Sequence, residues 1–304
     1  MPVFRTPASQ AKKAVRRVLA LKTPRHDNRD DGKVHSVGTA RSYQRTLTQV
    51  AEWMKENRNY KGLDRLTPEE AKAYLDERAL SVRQKTLDQD RQALQVLPLI
   101  GKLERVKSDP ELKPTRLATE GRAYTPEQVE IIARAQTPRN ALATRIGYAS
   151  GVRAHELLTL LPANRRPASD HREWSPERFD GRGDFRLYTV EGKGGLKREV
   201  ALPFHLAEQL EARRLRKPER VTDRGVRFVQ HYDLGGGNAW SKSFSTASKR
   251  ELGWSTGAHG LRHSYAQDRM DELKGDGHGH VSALETVSQE LGHFRPDITE
   301  VYLR

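Results

Sequence analysis

From Ala40 onward the apolar positions recur at helical period, with Tyr43, Leu47, Val50 and Met54 falling on one face. A second helix is expected from Thr67-Pro-Glu-Glu70, where the threonine can cap, the proline suits the first turn and Glu70 can complete a capping box. It would carry Ala71, Tyr74 and Leu75 inward. A third helix is expected roughly over residues 82–100, with Leu87, Leu94 and Leu97 at compatible spacing, until Gly101, Pro110 and Pro114 interrupt the pattern. Residues 39–108 therefore read as a small all-helical domain. Before it, residues 1–38 read as a mobile basic arm, with a potentially helical piece between Ala11 and Lys22. Residues 109–122 have two prolines and little periodicity, as an exposed linker would. Thr125-Pro-Glu-Gln128 then repeats the helix-start grammar and opens a second domain over residues 123–304, with Val129, Ile132 and Ala133 beginning its core face.

Within that second domain the period changes once. Residues 185–190 and 198–202 alternate as strands do, around a turn at 191–197 that carries Lys193 between glycines and ends on Lys197. This predicts a β-hairpin. Helical patterns resume near His205 and run, with breaks, to the end, with Ser150-Gly151 expected to end one helix before Arg153 opens another. The fold class expected is mainly α, an N-terminal helical domain followed by a helical α+β domain with a small antiparallel sheet.

A chain of 304 residues has room for two domains with their own cores. Its 54 Lys and Arg against 40 Asp and Glu give a net charge of +14, a field that attracts polyanions such as nucleic acid. The absence of cysteine excludes disulfides, thiolate zinc sites and cysteine nucleophiles. No stretch approaches the roughly 18 apolar residues of a membrane span, and the N-terminus lacks the apolar centre of a secretory signal. The compartment expected is the cytoplasm.

Four segments far apart in the chain concentrate the groups that an attack on a phosphodiester needs. Arg153 follows Ser150-Gly151, and its planar donors match two phosphate oxygens, with Glu156 one turn on to orient it. Lys193 stands between Gly192 and Gly194 in the hairpin turn, where a backbone can approach a ligand closely. His259 and Arg262 lie one helical turn apart, so both can meet one phosphate. His293 is followed nine residues later by Tyr302, a phenol whose pKa near about 10 calls for cationic neighbours or a base before it acts as a nucleophile. Each segment alone also has an ordinary structural explanation, as a surface arginine, a solvated turn lysine, a helix-cap histidine or a packed tyrosine. A metal reading is also open, because His259 and His263 stand at i and i+4 with His278 and His280 further on. The glutamate that follows the first histidine of zinc proteases is missing.

Taken together and in order, these segments resemble the tyrosine recombinases, or phage integrases. The motifs are Tyr-x-Ser-Gly-x-Arg-x-x-Glu-Leu-x-x-Leu from Tyr148, Gly-Lys-Gly from Gly192, His-x-Leu-Arg-His from His259, and Leu-Gly-His followed by Tyr302. The likeness is sharp over about residues 123–302 and only architectural over 40–108, where family members carry a helical core-binding (SAM-like) domain. The resemblance implies a C-shaped clamp on duplex DNA, with Arg153 and Arg262 on the scissile phosphate, His293 donating a further hydrogen bond and Tyr302 as nucleophile. Lys193, with Lys197 as the fallback, would protonate the leaving oxygen. His259 would assist proton transfer and Glu156 would position. It further implies no cofactor and no metal, a specific recombination site, a homotetramer on two synapsed sites, accessory DNA-bending factors, and a bacterial, phage or plasmid source. Base readers are expected on helices of both domains, including the one bearing Arg83, Lys85 and Arg91. Many members continue past the nucleophile into a helix that docks on a neighbour. This sequence ends at Arg304, so a different control of assembly is expected if that is the true end. The rivals are a type IB topoisomerase, a catalytically silent DNA-binding protein and a metal nuclease on the histidines.

Overall fold

Both capping signals mark helix starts in the computed structural model. The Thr67 and Thr125 hydroxyls accept from the backbone N–H of Glu70 and Gln128, whose side chains accept from the Thr67 and Thr125 N–H in return. The structure describes residues 5–21, 31–57, 62–112 and 121–304, the Lys193 side chain excepted, and the chain divides into two units, Met1–Arg116 and Leu117–Arg304.

The first unit is helical among its described residues: α1 (Pro7–Arg17), α2 (Val37–Asn57), α3 (Pro68–Ala79) and α4 (Gln84–Leu94). The predicted faces meet in one core, where Leu47, Val50 and Met54 of α2 pack with Leu75 of α3 and Leu87 and Leu94 of α4. Asp90 is buried beneath it, accepting from Thr46 Oγ1 at 2.6 Å and Arg78 Nε at 3.3 Å. Two expectations are corrected. The stretch read as a mobile arm contains α1, which places Ala11, Ala14 and Val15 in the same core, because its basic residues occupy only the opposite face. The third helix ends at Leu94 and not near Ile100, since Pro98 removes an N–H and disfavours helical geometry at Leu97. Leu97 and Ile100 stay buried in the turns that follow. Of the expected base readers, Arg83 and Lys85 are exposed, whereas Arg91 is committed to the Leu103 carbonyl at 2.9 Å. Much of the expected linker, residues 113–120, lies outside the described residues.

The second unit opens with α5 (Pro126–Arg134) and α6 (Pro138–Ser150). A three-stranded antiparallel sheet follows, made of β1 (Leu161–Pro162), β2 (Phe185–Glu191) and β3 (Lys197–Pro203), with the predicted hairpin in register from Phe185↔Pro203 to Glu191↔Lys197. After α7 (Phe204–Glu211) come β4 (Arg214–Asp223) and β5 (Val226–Tyr232), then α8 (Gly237–Leu252), α9 (Gly260–Gly275), α10 (His280–Glu290) and α11 (Pro296–Glu300). The main core gathers Ile132, Ile146, Val190, Leu202, Trp240 and Phe244, and a smaller cluster of α9 and α10 residues packs around Tyr302. The mainly α architecture with small antiparallel sheets is thus the one expected. The β4–β5 hairpin was not: charges and Pro218 interrupt β4, so no apolar alternation announces it. Among the described residues no helix is long and apolar enough to cross a membrane.

Candidate active site

Gly151 ends α6 in the left-handed conformation (φ 58°), and a Cβ there would stand 2.7 Å from the Tyr265 ring and 2.9 Å from Leu291. Only glycine lets the end of α6 lie against α9 and α10 so closely. No α-helix opens at Arg153. A 3-10 turn, Glu156–Thr159, follows it, capped by the Glu156 side chain, which accepts from the Arg153 N–H at 2.8 Å and from Arg153 Nη1 at 2.7 Å.

Glu156 is fully buried and has a second guanidinium on it, since Arg198 Nη2 donates to its other oxygen at 2.7 Å. Burial works to raise its pKa, but Arg198, Arg153 and Arg262 outweigh burial and hold it well below the usual carboxylate range. The predicted hairpin turn closes over this pair. A Cβ on Gly192 would lie 2.9 Å from Glu156 Oε1 and 3.7 Å from Arg153 Nη1. The backbone of Lys193 opens the 3-10 turn Lys193–Gly195, and its side chain lies outside the described residues. Lys197, the fallback, is exposed at the start of β3.

Arg262, on the first turn of α9, is fully buried. It donates to the carbonyls of Gly151 and Leu291, the latter at 3.0 Å, and Nη2 reaches His293 Nε2 at 3.1 Å. Burial and then Arg153 lower its pKa to about 9, which still leaves it protonated at neutral pH. A guanidinium has no acceptor, so His293 Nε2 accepts from it, and the imidazole proton sits on Nδ1, donating to Thr299 Oγ1 at 3.2 Å. Burial, Arg262 and Arg153 lower the His293 pKa to about 3 and keep the ring neutral.

Tyr302 closes the cluster. Its hydroxyl is 3.1 Å from His259 Nε2, and its ring centroid is 4.7 Å from that of His263 and 5.1 Å from that of His293, with Arg262 Cζ at 5.6 Å. His259 is lowered to about 4 by burial and by Arg262, His263, Arg122 and Arg153. Its solvent-facing edge moderates the first of these, and the cations sustain the direction. A polar cleft of about 310 Å³ opens beside the cluster, lined by Arg153, Arg198, His293 and Arg295 among others. The fold thus brings Arg153, Glu156, His259, Arg262, His293 and Tyr302 together.

Arg198 was missed in the sequence. The available signal was strand parity, because Arg198 shares a face with Val200 and Leu202, and a charge on a buried strand face needs a buried partner. The histidines of the metal reading are separated in use: His259 and His263 flank Tyr302, while His278 lies 3.7 Å from Glu177. Among the described residues, no three His, Asp or Glu side chains are grouped as metal ligands.

The neutral histidines make stability depend on pH. His263 is buried with its pKa lowered to about 4, first by burial, then by Arg122, against about 6.5 in an unfolded chain. Between these values the unfolded state binds the proton that the fold refuses, so the contribution is complete above about pH 6.5 and is lost as pH falls toward 4. The urea midpoint should therefore fall between about pH 7.5 and about pH 5, with His263 accounting for on the order of 2 kcal/mol. His263→Gln should flatten that dependence; an equal slope in both proteins would refute the attribution.

Residues 31–97 match the family described as phage integrase, N-terminal SAM-like domain. No curated protein matches the chain by sequence. Among solved structures, the XerH site-specific recombinase bound to difH substrate in a pre-cleavage complex is similar at a TM-score of 0.54 and 16% identity, over 99% of this chain and 94% of that one. Its post-cleavage complex with a palindromic substrate gives 0.51 and 15% over the same shares. A lambda integrase dimer bound to a COC' core site gives 0.50 and 15%, over 92% of this chain and 93% of that one. Residues 31–97 thus match the phage-integrase N-terminal SAM-like family, and the chain has the fold of the tyrosine recombinases.

Proposed function

We propose that this protein is a site-specific DNA recombinase that cleaves and rejoins strands through a covalent 3′-phosphotyrosyl bond at Tyr302. The observation that carries the reading is the Tyr302 hydroxyl at 3.1 Å from a neutral His259, beside a buried Arg262 that also bonds His293. The Tyr302 oxygen attacks phosphorus, the bond from phosphorus to the 5′-oxygen breaks, and the phenolic proton passes to His259 Nε2. Arg153 and Arg262 hold the nonbridging oxygens as negative charge builds, with Glu156 orienting Arg153. His293 donates to the phosphate as its Nε2–H tautomer: the ring gives up the Arg262 contact, its proton moves from Nδ1 to Nε2, and Nδ1 then accepts from the Thr299 hydroxyl. Lys193 supplies the proton that the departing 5′-oxygen needs, a role carried by the resemblance of Gly192-Lys-Gly194 to the family motif. The phosphodiester energy is kept in the tyrosyl ester, so resealing needs no ATP.

The unit from residue 123 onward is the catalytic domain in this reading, and the helical unit before it is the core-binding domain. Duplex DNA is the partner, held by phosphate contacts whose strength falls steeply with salt. Two sites in a homotetramer, with integration or excision of a mobile element as the biological role, follow from the same likeness.

The test is covalent trapping. Incubated in EDTA with a pool of nicked suicide duplexes of randomised sequence and then denatured, the protein should retain a subset of DNA on Tyr302, and sequencing that subset gives its site. No adduct from any pool overturns the reading. Strand exchange between two recovered sites then separates a recombinase from an enzyme that only relaxes DNA.

A further inference from the structure

The β4–β5 ribbon has two unlike faces. Its register pairs Val221 with Phe228 and Asp223 with Val226 on one face, and Arg220 with Val229 and Thr222 with Arg227 on the other. The first face packs inward. The Phe228 ring stands 6.2 Å from His155, two residues from Arg153, and the Asp223 carboxylate accepts from the Asn238 N–H at 2.8 Å, capping α8 from outside the helix. The second face is exposed, and among the described residues neither Arg220 nor Arg227 has an ion pair.

A two-stranded ribbon is marginal alone and needs anchoring. This one is tied at both ends. At its base the Tyr232 hydroxyl donates to Glu211 at 2.8 Å and Arg214 Nη2 donates to the Tyr232 oxygen at 3.1 Å; at its tip Asp223 holds α8, whose Gly237 N–H also donates to Ala154 at 2.6 Å. Near the base, residues 215–218 face His231 alone in a bulge that leaves Arg216 and Lys217 exposed. Among the described residues, no ion pair or side-chain hydrogen bond ties Arg216, Arg220 or Arg227 to the fold. They lie on a ribbon braced through Phe228 against His155, which immediately precedes the turn that carries Glu156.

We propose that this ribbon is a second DNA-contacting element, setting Arg220 and Arg227 on backbone phosphates of the duplex beside the cleaved one. The inference rests on the recombinase reading and extends its DNA interface. Charge complementarity selects the partner: unpaired guanidinium forks match phosphate oxygens, and a two-stranded ribbon fits the roughly 12 Å major groove between them.

The experiment compares the full chain with Arg220→Ala/Arg227→Ala in binding a long duplex of random sequence over a series of salt concentrations. Two lost phosphate contacts should make the slope of log affinity against log salt shallower by about two units. Arg220→Lys/Arg227→Lys, which keeps the charges, should retain the wild-type slope and guards against a folding effect of the alanines. A double alanine variant with the wild-type slope overturns the ribbon's role while leaving the recombinase reading in place. An unchanged slope with altered self-association would give the ribbon to a second copy of the chain, and overturns it equally. A wild type that binds no duplex overturns both readings together.

Discussion

Tyr302→Phe should abolish the covalent DNA adduct and leave duplex binding nearly intact. Only the hydroxyl is removed, and it contacts His259 alone among the described side chains, while the ring that packs against His263 and His293 remains. The fold should therefore lose no more than one partly buried hydrogen bond, about 0.5–1.5 kcal/mol. The chemistry has no substitute nearby. Tyr265 is the other tyrosine of that cluster, but its hydroxyl donates to Glu290 at 2.7 Å, and burial and Glu290 push its pKa up, away from nucleophilic use. Denaturing gels of trapped DNA give the adduct and filter binding gives the affinity. An adduct that persists in the phenylalanine variant would mean that the nucleophile is another residue.

The parts legible in the sequence were those whose signals are local. Apolar period placed α2 and α3, two capping boxes placed the starts of α3 and α5, and alternation placed the β2–β3 hairpin. The predicted site residues with described side chains converge because each sits at a helix end or turn whose glycine or proline is visible in the chain. What stayed hidden depends on pairing across distance. The β4–β5 ribbon is held by Glu211 and by the α8 cap, neither of which leaves a trace in the pattern of β4 itself. The basic residues of α1 masked a short apolar stripe of Ala11, Ala14 and Val15, too slight to predict docking until α2 is present to receive it. Arg198 looked like one more charge after a basic turn, because its partner Glu156 is forty-two positions earlier.

Arg198 carries the second large effect. Its Nη1 donates to the Glu290 carbonyl at 2.7 Å and its Nη2 to Glu156 at 2.7 Å, so a single buried guanidinium ties β3 to the end of α10 and to the turn that orients Arg153. Arg198→Met keeps the aliphatic stem that packs beneath Gly292 but leaves Glu156 as a buried carboxylate with one cationic partner fewer. Breaking such a pair from one side costs about 3–5 kcal/mol, and the adduct rate should fall as well, because Glu156 can no longer hold Arg153 in one geometry. Glu156→Gln should cost a similar amount by stranding Arg198. The double variant Arg198→Met/Glu156→Gln removes both charges, so its stability loss should fall short of the summed single losses by about 1–3 kcal/mol. Its adduct rate should stay low, since Arg153 still lacks its carboxylate. Recovery of stability without recovery of rate assigns Arg198 a positioning role that acts through Glu156. Additive losses in denaturant unfolding would instead mean that the two residues act independently, and Arg198 would then be a structural strut with no part in the chemistry.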